Sequence, residues 1–405
     1  MRALRTLLVV VAAAFAVAAP AAAGAPSDLS GDPLDRGALL ALPSVYRLDV
    51  TLRIDGLVTS DGRRIPVPAD ARELPESGTA VAVAPGGWLV TAAHVAAPDG
   101  ATVARLAMQA TLARRGEPHG TEAVTAEVER RGIRPVGLRV VERLLRQADA
   151  GEGAASSRRF LPVRMVRSDT ADLALLRIDA PTAPALRLDE SASIETPVAT
   201  IGFGVGGRFE EPARGELVPA IRRGELSRTG TLEDPDSGTE RSAIAITAPV
   251  QPGDSGGPVV DASGRMRGVV IIKTDRGGIA ERSTEVRQLL ERAGVTPSAG
   301  RSAELFRDAM DAFWALDFAN AQRGFASTLA AFADHTLARR ETARAAGLAD
   351  AEYRLRAERR LQGFLLALGA LAVLAALACG VALARSVPPR GARRAPEPGR
   401  RAGEH

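Results

Sequence analysis

Gly253-Asp254-Ser255-Gly256-Gly257-Pro258 sets three glycines around one serine. Glycine adopts positive φ without steric cost, so such a run turns tightly and can aim successive N–H groups at one point. A point of that kind stabilises negative charge developing on a substrate oxygen. Upstream, Gly87-Trp88-Leu89-Val90-Thr91-Ala92-Ala93-His94 reads as an apolar strand that ends on a histidine, and Asp172 opens the apolar run Leu173-Ala174-Leu175-Leu176. A serine hydroxyl is a weak nucleophile until a neighbouring base takes its proton. Ser255, His94 and Asp172 are therefore the candidate nucleophile, base and orienting acid, with the N–H groups of Gly253 and Ser255 as candidate oxyanion donors.

Unrelated scaffolds assemble this constellation in different chain orders, and the order here is His, Asp, Ser. At Thr91-Ala92-Ala93-His94, Asp172 and residues 253–258 the chain resembles the trypsin-like serine peptidases, nearest their bacterial HtrA-like branch, over residues 45–295. That resemblance implies a mainly β fold with a double six-stranded barrel, and hydrolysis of polypeptides through an acyl-enzyme. It implies no cofactor and no metal. It also implies that Asp254 is buried and needs a cationic partner. A freed N-terminus at Arg64-Ile65-Pro66 is the nearest candidate of one kind and an internal arginine the expected one, but which arginine is open. The specificity pocket maps to Pro249, Val270, Ile271, Ile272 and Lys273. Pro249 stands where basic-selective relatives carry an aspartate, so apolar side chains of small or medium size are expected there, with Lys273 able to narrow the pocket or attract an acid. The usual PDZ domain is not expected after residue 295, where the pattern turns helical.

Short apolar runs between Gly/Pro turns support the barrels. Strands are expected at 45–58, 78–83, 173–178, 197–202, 223–227, 243–248 and 267–273. A helical insert is expected over about 103–158, with helical spacing of Val141, Leu144 and Leu145 in 138–148. The glycine-rich stretch 201–207 has no amphipathic helix after it, so it reads as a strand end rather than a dinucleotide loop. Residues 302–360 carry a helical period (Leu305, Met310, Phe313, then Phe318, Phe325, Phe332) and look like one tetratricopeptide-type hairpin, with Ala319 and Phe325 at close-packing positions. Such a hairpin serves as a stalk or as a surface for a protein partner.

The chain has 405 residues, a formal net charge of +4 and Lys273 as its only lysine. No basic patch interleaved with aromatics occurs, so nucleic acid is not an expected partner. Residues 1–23 have the layout of a secretory signal peptide. Residues 361–384 contain no charge and are long enough to cross a hydrocarbon core of about 30 Å, which makes membrane lipid a partner. The arginine-rich residues 385–405 are expected in the cytoplasm and the barrels on the other side. The leading expectation is a membrane-anchored serine endopeptidase of exported proteins; the alternative is a weakly active or inactive scaffold that recruits a partner through its hairpin.

Overall fold

A computed structural model describes residues 31–147, 159–191, 193–204, 217–233 and 240–386. The signal segment 1–23, residues 205–207 of the glycine-rich stretch and tail residues 387–405 lie outside the described residues. Two compact units divide the chain at Ala346 and Gly347.

Helix α1 (Pro33–Ala41) opens the first unit. Asp32 caps it by accepting from Leu34 N at 2.8 Å. Strands β1 (Val45–Arg53), β2 (Gly56–Val58), β3 (Arg64–Ile65), β4 (Glu73–Ala84) and β5 (Trp88–Ala92) follow, and a single turn, α2 (Ala93–Ala96), carries His94. The insert comes next as α3 (Gly100–Arg114) and α4 (Thr121–Arg131). Asp99 caps α3 at 2.7 Å from Thr102 N, and Gly132 closes α4 in the left-handed conformation at φ 52°. Helix α3 buries Val103, Ala104, Ala107 and Met108 in the core of the first sheet.

Strands β6 (Arg134–Val136), β7 (Arg139–Gln147), β8 (Arg159–Phe160), β9 (Arg164–Arg167) and β10 (Leu173–Arg177) return to the sheets. The helix expected at 138–148 is thus strand β7, and among the described residues the insert is helical only from Gly100 to Arg131. Helical spacing and strand pairing compete for the same residues. The antiparallel ladder with β1 prevails, reinforced by Arg146 reaching Asp49 at 2.9 Å and by Gln147 Nε2 donating to Pro43 O at 2.6 Å. The first sheet runs β8-β7-β1-β4-β5-β10-β9 and is open. It departs from the expected six-stranded barrel because closure requires the two end strands to exchange hydrogen bonds. Here β8 pairs with β7 and β9 with β10, and among the described residues no ladder joins β8 to β9.

The second sheet closes. Strands β11 (Pro197–Gly202), β12 (Ala220–Glu233), β13 (Glu240–Ile246), β14 (Pro258–Asp261), β15 (Met266–Thr274) and β16 (Gly277–Arg282) form a barrel in the order β11-β12-β13-β16-β15-β14. Its interior is apolar, with Val198, Leu226, Ile244, Val259, Val270 and Ala280 all buried.

Helices α5 (Ser283–Arg292), α6 (Gly300–Trp314), α7 (Phe318–Ala331) and α8 (Thr336–Ser386) complete the described residues. Leu316, at φ 62°, turns α6 into α7, and Phe306, Phe313 and Phe325 stack between them. Phe325 packs between these helices. Ala319 does not; it is exposed, and the close approach is made instead by Gly324, where a Cβ would lie 2.7 Å from Ala309 Cβ. In the second unit, Leu361–Cys379 of α8 is a 19-residue stretch of mean hydropathy 2.2, exposed along its length. It is compatible with a membrane anchor.

Candidate active site

Strand pairing brings His94 and Asp172 together. Antiparallel β5 and β10 set Leu173 opposite Ala92, so the residue before β10 meets the residues after β5. Ala93 N donates to Asp172 O at 3.0 Å. His94 N donates to Asp172 Oδ1 at 2.9 Å, and His94 Nδ1 lies 2.5 Å from Asp172 Oδ2. Both carboxylate oxygens therefore hold the same histidine, one through its backbone and one through its ring. With the proton on Nδ1, Nε2 is free to accept another.

The Ser255 loop is fastened to the first sheet by β4. Thr79 N donates to Ser255 O at 2.8 Å, and Thr79 Oγ1 donates to Gly253 O at 2.8 Å while accepting from Phe203 N at 3.1 Å. Thr91 Oγ1 donates to Thr79 O at 2.6 Å, which ties the strand leading to His94 to the same hub. Gly78 sits in the seam between the two catalytic segments: a Cβ there would meet the Val95 side chain at 2.7 Å and Ser255 O at 2.9 Å. Thr79 is a site residue that sequence reasoning missed, since a threonine inside a strand carries no motif of its own.

Gly253 and Gly256 have φ of 98° and 90°. At Gly256 a Cβ would also lie 1.9 Å from Thr79 O, so only glycine fits. Gly256 N donates to Val270 O at 2.7 Å and Gly257 N to Asp254 O at 2.8 Å. Among the described residues Gly253 N and Ser255 N have no protein acceptor. These two donors are the ones left to face a ligand.

The partner of Asp254 is Arg222, on β12. Asp254 is 1% exposed; its Oδ2 accepts from Arg222 Nη1 and from Gln251 N, both at 2.7 Å, and its Oδ1 accepts from Gly204 N at 2.8 Å. Arg222 Nη2 also donates to Gly204 O at 2.7 Å. The glycines of Ile201-Gly202-Phe203-Gly204 make room for this carboxylate, because a Cβ at 202 or 204 would come within 2.6 and 2.5 Å of Asp254 Oδ1. Alternating glycines opposite a buried acid were the available signal; the matching arginine had none.

Of the five residues expected to form the pocket, Pro249 and Lys273 are exposed and Ile272 is half-buried. Val270 and Ile271 turn into the cores at 0% and 3% exposure, and Val270 contributes its backbone, which braces Gly256 and Gly257. A second missed residue is Glu281 on β16, 1% exposed, whose Oε1 accepts from Asp172 N at 3.0 Å. Among the described residues no group of three or more His, Cys, Asp or Glu converges as a metal site.

The profile of the trypsin-like peptidase domain matches residues 78–269, the span that holds His94, Asp172 and Ser255. Residues 78–269 thus match a trypsin-like peptidase domain. Serine protease Rv3671c of Mycobacterium tuberculosis is 34% identical over 139 residues, covering 33% of this chain and 34% of that protein. Serine protease Do-like HtrB of Bacillus subtilis is 30% identical over 120 residues, 29% of this chain and 25% of that protein. The matched region is thus about a third or less of the length of these relatives. Among solved structures, the active form of the Rv3671c protease aligns with a TM-score of 0.40 at 17% identity, over 67% of this chain and 92% of that one. The HtrA-type protease AlgW with a tripeptide aligns with a TM-score of 0.38 at 21% identity, over 65% of each chain.

Proposed function

We propose that this chain is a membrane-anchored serine endopeptidase that hydrolyses peptide bonds of exported polypeptides. The observation that carries this reading is the pair His94–Asp172, doubly hydrogen-bonded and joined through Gly78 and Thr79 to a glycine loop with two unused N–H donors. In this mechanism His94 Nε2 takes the Ser255 hydroxyl proton as the oxygen attacks the substrate carbonyl. The carbonyl oxygen becomes an oxyanion held by Gly253 N and Ser255 N. His94 then gives the proton to the leaving amine, and water repeats the sequence to release the acyl group. Asp172 holds the ring tautomer and stabilises the imidazolium without taking up the proton. The free oxyanion donors speak against the scaffold reading, which has no need of them.

The hydrophobic stretch Leu361–Cys379 supports the anchor, and the excess of arginine after it supports a cytoplasmic tail with the peptidase on the opposite side. Exposed Pro249 and half-buried Ile272 favour small or medium apolar side chains at the cleaved bond. Fluorophosphonate labelling of the full-length chain in detergent tests the reading. Labelling that disappears in Ser255→Ala, with the thermal midpoint retained, is the expected result. Labelling that persists in that variant overturns the assignment of the nucleophile.

A further inference from the structure

We propose that Glu281 is a positioning residue for the His94–Asp172 pair and that the charge on its carboxylate is felt at His94. The proposal rests on the peptidase reading and names a group that reading does not use. Asp172 has four hydrogen-bonding groups, and all are engaged: its carbonyl by Ala93 N, its two carboxylate oxygens by His94, and its N–H by Glu281 Oε1 at 3.0 Å. Three of the four lead to the turn that carries His94. The fourth is the link that ties this turn to the second barrel. Among the described residues Glu281 is the sole protein acceptor of the Asp172 N–H.

Glu281 lies near the end of β16, opposite Ala243 on β13 and Val269 on β15. The charged groups around it come from three directions. Arg241 on β13 approaches Oε1 at 3.6 Å, Asp172 stands at the head of β10, and Glu285 belongs to the first turn of α5. From β15 the facing residue is apolar. Helix α5 also sends Arg292 Nη2 to Ser168 Oγ at 3.4 Å, on the turn just before Asp172. Burial pushes the Glu281 carboxyl up to about 7; the Asp172 N–H and Arg241 pull it down, while the charges of Asp172 and Glu285 add to the rise. One arginine at 3.6 Å leaves this acid able to gain a proton where a histidine base does its work.

When ionised, Glu281 polarises the Asp172 N–H, fixes the orientation of the acid and adds a second negative charge, itself buried, near the imidazole. A negative charge close by favours the imidazolium. Protonation of Glu281 weakens both effects. Two coupled ionisations then govern the base, and they belong to the pair rather than to either residue.

The test uses the full-length Ser255→Ala chain in detergent with isotope-labelled histidine, whose four resonances are followed by NMR against pH, with His94→Ala for assignment. In the parent the His94 curve should be broader than a single-proton titration. In Glu281→Gln, which keeps the acceptor and removes the charge, it should become a single-proton curve with its midpoint lower by about half to one pH unit, a three- to tenfold change in proton affinity. The acid limb of fluorophosphonate labelling in the Ser255 chain should lose its second proton in the same variant. A single-proton His94 curve in the parent overturns the proposal even where Glu281→Gln does not fold. A folded variant with an unshifted midpoint overturns it too. Absence of labelling from the chain that retains Ser255 at every pH counts against the peptidase reading instead, while the NMR titration still decides the role of Glu281.

Discussion

Arg222 on β12 and Asp254 beside the nucleophile form a buried ion pair at 2.7 Å, with the aspartate 1% and the arginine side chain 19% exposed. A carboxylate taken out of water is stable only when paired and hydrogen-bonded. Here one guanidinium and two backbone N–H groups meet that demand from within the domain. The position of the Ser255 loop therefore depends on an arginine that the fold itself supplies, and no cut N-terminus is needed to supply the charge.

Replacing Arg222 by methionine should leave Asp254 without its counter-charge. Removal of one partner from a buried pair costs about 3–5 kcal/mol. A fall of that size in urea denaturation is expected, together with slower fluorophosphonate labelling at temperatures where the variant is folded. A stability loss under about 1 kcal/mol, the range of an exposed pair, would argue against this role.

Two glycines with positive φ should behave differently. Gly116, at φ 69°, has open space where a Cβ would go, so Gly116→Ala should cost only the left-handed penalty of about 1–2 kcal/mol. Gly256, at φ 90°, would put a Cβ 1.9 Å from Thr79 O and 2.3 Å from Thr91 Oγ1. Gly256→Ala should therefore cost more than about 4 kcal/mol, at the exceptional end for single substitutions. Equal effects for the two alanines in chemical denaturation would mean that the Thr79 hub yields.

Glu281 and His335 should oppose one another in the pH dependence of stability. Glu281 is held up at about 7 against 4.5 when unfolded, so the folded state binds the extra proton and stability falls as pH rises from about 4.5 to 7. His335 is buried against Phe306, its Nδ1 accepts from Ala338 N at 3.1 Å, and burial lowers it to about 3 from 6.5. There the unfolded state binds the extra proton, so stability falls as pH drops from about 6.5 to 3. Between about 4.5 and 6.5 the two slopes, each about 1.4 kcal/mol per pH unit, cancel. His335→Gln should expose the Glu281 slope and Glu281→Gln the His335 slope, read as urea midpoints across this window. Identical profiles in both variants would refute the pairing.

Cleavage should favour small or medium apolar side chains, with Arg and Lys poorly accepted, since Pro249 offers no carboxylate and an unpaired guanidinium taken out of water costs several kcal/mol. A peptide library settles this. A dominant acidic preference that vanishes in Lys273→Ala would transfer specificity to the lysine, and a basic preference would sink the pocket argument.

Membrane anchoring predicts that the chain resists carbonate extraction and that a reporter fused after His405 is active in the cytoplasm. An exported reporter would reverse the orientation.

The residues of chemical interest were legible in the sequence because their signals are local. A glycine–serine turn, a strand ending on His94 and an acid opening the strand at Leu173 are each short patterns with a physical meaning, and the structure brings His94 to Asp172 where those strands pair. The alternation that marked strand β1 is a local signal of the same kind, and so is the helical period of α6 and α7. The charge-free run at 361–379 is local too, legible by length and composition and compatible with a membrane anchor.

Only the tertiary structure decided the rest, and for one reason: each undecided feature depends on a partner distant in sequence. Strand β7 has helical spacing of its own and is a strand because β1 pairs with it across about ninety residues. Among the described residues the first sheet is open because its end strands do not pair with each other, which no single strand reveals. Arg222, one of many arginines, is singled out by lying beside Asp254, and Thr79 by meeting the Ser255 loop. Glu281, set between Ala280 and Arg282 in its strand, becomes part of the site through one hydrogen bond to a backbone more than a hundred residues earlier. Local patterns name the groups that can do chemistry; burial and long-range hydrogen bonds, which cost or stabilise only in the folded chain, choose the groups that hold them in place.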